Sequence, residues 1–203
     1  QLRLTIDMLN GTYAFTSAVT NLWTPGNSNG WNHASAQMLY TYDFVNYMGF
    51  AHLDGEFKFT NAADWGHTNY GFAEEGKLST DGGAGNITLE PGLWHIKFDY
   101  YANTLTTTAI TKVGLIGNGD VFGGWGTDVE MTYNETTQTW SATIENVPAD
   151  NEYKVRFNAD WGINLGGDAT NLTQDGANLK TVKSGTVTYE LNIFAHPYTI
   201  VEK

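Results

Sequence analysis

The chain has 203 residues and a net charge of −12, from 22 acidic residues against 10 Lys plus Arg. A field of that sign repels a phosphate backbone, which argues against nucleic acid as a partner, whereas a neutral glycan meets no such penalty. The absence of cysteine excludes disulfides, thiol catalysis and thiolate metal sites, and no window approaches the length of an apolar membrane span.

Hydrophobic residues make up 41 % of the chain and charged residues only 16 %. Polarity comes mainly from Asn, Thr, Ser and Gly. With 7 Trp and 11 Tyr, the aromatic load exceeds what a core of Leu, Ile, Val and Phe needs, so some rings are expected at the surface.

In chain order, Leu4–Thr16 reads as a strand, a break and a second strand. It resembles Tyr189–Val201 near the other end of the chain. Residues 1–18 are therefore either the closing strands of an upstream domain or an ordinary N-terminal strand of the first unit. Gly26–Trp31 is a loop of Gly, Asn and Ser ending in Trp. Asn32–Met48 has a weak helical composition, but its Tyr, Phe and Val favour strands and loop.

Glu56-Phe-Lys-Phe59 alternates apolar and polar, as do Trp94–Phe98, Glu152–Phe157 and Thr186–Ile193. Turn signals at Glu90-Pro-Gly92, Asn134–Thr137, Pro148–Asn151 and Lys183-Ser-Gly185 separate them. Short strands at this spacing predict an all-β fold of the sandwich type.

The chain is duplicated. Glu56–Gly66 and Glu152–Gly162 share Glu, Lys, Ala, Asp, Trp and Gly in register at an offset of 96 residues. Leu78–Gly82 matches Leu172–Gly176, and Gly30-Trp31 matches Gly124-Trp125, both at an offset of 94. The expected organisation is residues 1–18 as above, then tandem β-sandwich domains at 19–108 and 109–203. The polar, threonine-rich stretch at Thr106–Ile110 is a linker or a strand tail.

Sugar recognition needs an exposed aromatic ring for the apolar face of the sugar and amides or charges for its hydroxyls. Trp31 and Trp125, each in a glycine-rich loop, are candidate stacking platforms; structural packing is the competing reading. Lys58 and Lys154 point away from the apolar side of their strands and could donate to hydroxyl pairs, or be merely solvated. Asn86 and Asn178 follow Gly-rich loops and could read a hydroxyl or stabilise their own turns. Arg156 shares a strand face with Lys154, where the first copy has Thr60. Tyr70, set opposite Gly166, would be an extra platform if exposed. Trp65 and Trp161, in Ala-Asp-Trp-Gly, are read as plugs at the end of the sandwich.

Catalysis has little support. No carboxylate pair is singled out by spacing, and no histidine pattern marks zinc. Asp120 and Asp128 flank Trp125 and carry calcium-type oxygens, but read first as a solvated loop. No metal or other cofactor is called for.

Tyr153–Gly167, Asp175–Leu179 and Leu115–Trp125 together resemble the C-terminal domains of the SusE and SusF starch-binding outer-membrane lipoproteins of Bacteroidetes. Glu56–Phe59, Asp64–Gly66 and Gly82–Ile87 carry the likeness into the first copy. The resemblance implies immunoglobulin-like or starch-binding-module-like sandwiches and no chemistry. It implies bacterial outer-membrane, cell-surface exposure through a lipid anchor outside this chain. The implied partners are a neutral polysaccharide or oligosaccharide, starch first, and an outer-membrane glycan transporter complex. The site residues it implies are Trp125, Lys154 and Asn178, then Trp31, Lys58 and Asn86. It also favours residues 1–18 as the end of a neighbouring domain. The alternatives are an adhesive protein-interaction module and a fragment of a glycoside hydrolase.

Overall fold

The computed structural model describes residues 2–203 and is all-β, built from antiparallel sheets. It divides into two compact units. One holds the residues through Pro91 with His95–Thr107, and the other holds Gly92–Trp94 and Thr108–Lys203.

Strands β1 (Leu2–Asp7) and β2 (Thr12–Ser17) form a two-stranded sheet of their own. The remaining strands of the first unit are β3 (Asn21–Trp23), β4 (Met38–Thr41), β5 (Asn46–Phe57) and β6 (Phe59–Thr60). They continue with β7 (Asn69–Glu74), β8 (Lys77–Ser79), β9 (Ile87–Asp99) and β10 (Thr104–Ile110). These eight close into a barrel in the order β10-β8-β7-β6-β3-β4-β5-β9. Where the sequence predicts a sandwich, pairing runs unbroken around the ring. Closure leaves no free sheet edge. Thr106–Ile110 is strand, not linker, and Asn32–Met48 becomes a short 3-10 turn followed by β4 and the start of β5.

The barrel interior mixes aliphatic side chains, among them Leu22, Leu39, Leu53 and Ile96, with the rings of Phe50, Phe59, Tyr70 and Phe98. Phe59 stacks on Phe98 at 6.3 Å, and Tyr70 meets Phe98 edge-on at 5.5 Å. His95 is buried beside Phe50 at 4.8 Å. Burial, with a smaller effect of Lys97, pushes its pKa down to about 4.

The second unit has two sheets. One contains β11 (Val113–Gly117), β12 (Val129–Glu130), β15 (Glu152–Phe157), β16 (Asp160–Asp168), β17 (Asn171–Gln174) and β18 (Leu179–Lys180). The other contains β13 (Thr132–Asn134), β14 (Thr139–Val147), β19 (Gly185–Asn192) and β20 (Thr199–Glu202). Phe122 and Tyr153 stack at 5.2 Å, and Tyr189 from the other sheet meets both rings edge-on.

Period-two alternation sorts β15 cleanly. Tyr153, Val155 and Phe157 are buried in the core, and Glu152, Lys154 and Arg156 lie on the opposite face. Close approach fixes two glycines. A Cβ on Gly166 would strike the carbonyls of Ala177 and Gly176, and one on Gly71 would strike the Gly85 carbonyl and Ala84. Each glycine therefore lets the Gly-Ala-Asn type loop lie directly on its strand.

Candidate functional site

Both units carry the same constellation on their outer faces, built from the residues that the repeat preserves. Gly30 and Trp31 both adopt left-handed backbone, with φ of 62° each, as do Gly124 (59°) and Trp125 (63°). A bulky residue in that region is strained by roughly 1–3 kcal/mol and persists only where its surroundings hold it. Here the hold is local. The Trp31 indole N–H donates to Asn27 at 3.1 Å, and the Trp125 indole N–H donates to Asn118 at 2.6 Å.

Trp65 and Trp161 are not plugs. They are 45 % and 44 % exposed, and each stands beside the other tryptophan of its unit. Trp31 and Trp65 have centroids 6.0 Å apart with planes inclined at 41°; Trp125 and Trp161 are 6.1 Å apart at 35°. The turn that projects them is the same in both copies. Asp64 accepts from the Gly66 N–H at 2.8 Å, and Asp160 accepts from the Gly162 N–H at 2.7 Å. The sequence misled here because a Trp just after a strand is more often core. The exact repetition of Ala-Asp-Trp-Gly was the available signal.

What lies against the second indole differs. The Arg156 guanidinium sits 4.8 Å from the Trp161 ring and is ion-paired to Asp128 at 2.8 Å. Arg156 is nearly buried and packs its guanidinium against the Trp161 ring. Asp128 is committed to that pair. Among the described residues, no cluster of His, Cys, Asp and Glu could hold a metal. In the first unit, Thr60 replaces Arg156 and His33 meets the Trp65 ring edge-on at 4.7 Å.

The polar groups are held in parallel too. Asn86 donates to Glu56, and Asn178 donates to Glu152, both at 3.1 Å. These bonds tie each amide to the carboxylate two residues before the lysine. Lys154 donates to Asn164 at 2.8 Å. Asn164 in turn donates to the Trp161 carbonyl at 2.9 Å and to Asp175 at 2.7 Å. Burial lowers the Lys154 pKa, and the Asp175 charge opposes that shift. Lys58 donates instead to the Ala84 carbonyl at 2.9 Å.

Tyr70 is corrected. It is 4 % exposed and lies in the barrel interior, so it offers no platform. The pairing register sets a different equivalence. Phe59 pairs with Tyr70 as Val155 pairs with Leu165, which makes Tyr70 the counterpart of core Leu165. The same register makes Asn69 the counterpart of Asn164, and Asn69 donates to the Trp65 carbonyl at 3.3 Å. Asn69, Asn164, Asn27, Asn118, Glu56 and Glu152 carry no local sequence signal that sets them apart from ordinary polar residues.

Each face thus offers two inclined indoles and a half-buried lysine. An amide held by a carboxylate completes it. This set can stack on apolar ring faces and bond vicinal hydroxyls, and it brings no nucleophile with a matched base.

No family model matches the chain, and no curated protein matches it. Among solved structures, it is similar to the crystal structure of SusF from Bacteroides thetaiotaomicron at 22 % identity and a TM-score of 0.38. The match covers 93 % of this chain and 50 % of that one, so the chain spans about half the length of that protein.

Proposed function

We propose that the chain is a non-catalytic carbohydrate-binding protein, with one glycan site on each unit. The observation that carries this reading is the inclined tryptophan pair beside a lysine and an asparagine held by a glutamate, found once in each unit. Planes inclined by 35–41° suit two successive sugar rings that turn relative to one another, as in an α-glucan helix, better than a flat ribbon. Starch or a maltooligosaccharide is therefore the favoured ligand. Each site is assigned two indoles as the platform, with Lys154 and Asn178, or Lys58 and Asn86, bonding hydroxyls. The motif resemblance extends the reading to display at a bacterial outer surface beside a glycan transporter.

Isothermal titration with maltoheptaose tests the reading, with cellohexaose as the flat comparison. Two binding events per chain are expected, weakened by Trp125→Ala and by Trp31→Ala in turn. Binding that survives both changes unaltered would place the glycan elsewhere. Failure to bind any glycan on an array would favour the adhesive alternative.

A further inference from the structure

The second unit holds a cavity of about 180 Å³ that neither Trp125 nor Trp161 lines. Gly126, Thr127 and Asp128, the three residues after Trp125, form one wall. Arg156, Lys112 and Glu130 stand around the rest, with Lys112 and Glu130 exposed.

The Arg156–Asp128 pair inside this cavity is only partly satisfied. The Arg156 side chain is 6 % exposed and that of Asp128 13 %. A single bond joins them, from Nε of Arg156 to one Asp128 oxygen. A guanidinium has five N–H donors, so four are left over. Among the described residues, neither terminal nitrogen of Arg156 meets an acceptor, and the second Asp128 oxygen meets no donor. None of these atoms is sealed from solvent, so they open on the cavity that both residues line.

The ion pair is not needed to hold two tryptophans together. In the first unit, Thr60 stands in place of Arg156, and Ala34 follows Trp31 by three residues as Asp128 follows Trp125. Both charges are absent there, yet the tryptophan pair keeps its spacing and nearly its tilt. A nearly buried ion pair is costly to desolvate and seldom repays that cost in stability. One that directs spare donors and an acceptor into a cavity has the composition of a ligand site.

We propose that this cavity takes one neutral sugar residue that branches from a glycan chain stacked on Trp125 and Trp161, so that the second unit selects branched glycans. The inference rests on the glycan-binding reading and names the substrate class of the second site. Charge selects the occupant. Arg156 and Lys112 are balanced by Asp128 and Glu130, so an anion would gain no net field and would meet two carboxylates, in a chain of net charge −12. A sugar hydroxyl both donates and accepts, and can therefore satisfy the spare N–H groups and the spare Asp128 oxygen together. The volume equals that of about six waters, room for one pyranose ring and not a second. Position makes that ring a branch. The wall starts at the residue after Trp125, and the Arg156 guanidinium lies 4.8 Å from the Trp161 ring, so the cavity adjoins both indoles without lying between them.

Titration of the whole chain carrying Trp31→Ala, which silences the first site, tests the proposal. The probes are maltoheptaose and maltoheptaose bearing one α-1,6-linked glucose. The branched probe should bind at least about tenfold tighter. Asp128→Ala with Arg156→Thr gives the second unit the residues of the first, and Arg156→Lys keeps the charge but loses the planar fork. Either change should bring the ratio of the two affinities to about one. In the chain carrying Trp125→Ala, where the first site alone remains, that ratio should be about one from the outset. Equal affinity in the Trp31→Ala chain, or a preference that survives both changes, would overturn the branch site and leave the glycan reading standing. Tighter binding of a glucuronic acid branch than of the glucose branch would overturn the neutral occupant. Binding of neither probe would overturn the glycan reading, and the branch site with it.

Discussion

Lys154 donates its ammonium to the side-chain oxygen of Asn164 at 2.8 Å, whereas the matching oxygen of Asn69 is buried with no partner while Lys58 reaches for the Ala84 carbonyl. The two copies therefore share a layout but not a bonding pattern. In the second unit, one amide joins the lysine, the Trp161 carbonyl and Asp175. Asn164→Ala should cost the second unit about 1–3 kcal/mol by stranding those groups. It should also weaken glycan binding there. Asn69→Ala should cost less, because its oxygen bonds nothing. Thermal melts and titration of the two variants check the difference.

The tryptophans should contribute unequally. Truncating Trp125 or Trp161 removes a ring from the better organised platform, and each change should cost about 2 kcal/mol of binding, roughly 30-fold in Kd. The same changes at Trp31 or Trp65 should lower the affinity of the other site only. Titration of all four single variants separates the two isotherms.

Arg156 is held between the Trp161 ring and Asp128. Arg156→Met keeps the volume but leaves a partly buried carboxylate without its cation, a loss of about 3 kcal/mol of stability. Binding should fall by less than for Trp161→Ala. A double-mutant cycle between Arg156 and Trp161, read in both stability and affinity, should show coupling.

Gly166→Ala should displace the loop that carries Asn178, since the new methyl would meet two backbone carbonyls. Overpacking of this kind costs about 1–3 kcal/mol. Affinity at the second site should drop further than stability alone explains. Gly71→Ala is the matching test in the first unit. Chemical denaturation beside titration distinguishes the two effects.

Acid should weaken the first unit through His95. Its folded pKa, about 4, lies below the ordinary value of 6.5, so between those values the unfolded chain binds more protons than the folded one. The contribution is fully present above about pH 6.5 and is lost as pH falls towards 4, a swing of about 3 kcal/mol. Asp43, held at about 2 chiefly by the Asn46 side chain, loses its contribution only below about 3.8, so the two windows do not overlap. His95→Leu should flatten the dependence of the melting temperature between pH 7.5 and pH 5.

The sequence carried the repeat, and with it most of the candidate site. Trp31 with Trp125, Lys58 with Lys154 and Asn86 with Asn178 were matched by spacing alone, because a duplicated surface keeps its polar residues in register. Strand alternation was equally legible in Glu152–Phe157, where period two sets the buried and exposed faces. Asn69 and Asn164 were invisible because an asparagine on a strand has no local signature. Only cross-strand pairing sets Asn164 opposite Arg156 and Asn69 opposite Thr60.

The linear chain by itself therefore determined an all-β protein built twice, acidic, without cysteine, and with surface aromatics in glycine-rich loops. Tertiary structure decided where those aromatics stand. The register of β6 against β7 buried Tyr70, and the turns at Asp64 and Asp160 brought Trp65 and Trp161 out beside their partners. It also decided that one copy closes into a barrel while the other keeps two sheets. Local pattern fixes which way a side chain points from its own strand. Which residue it then meets depends on pairings between segments tens of residues apart, and those are set by the packing of the whole unit.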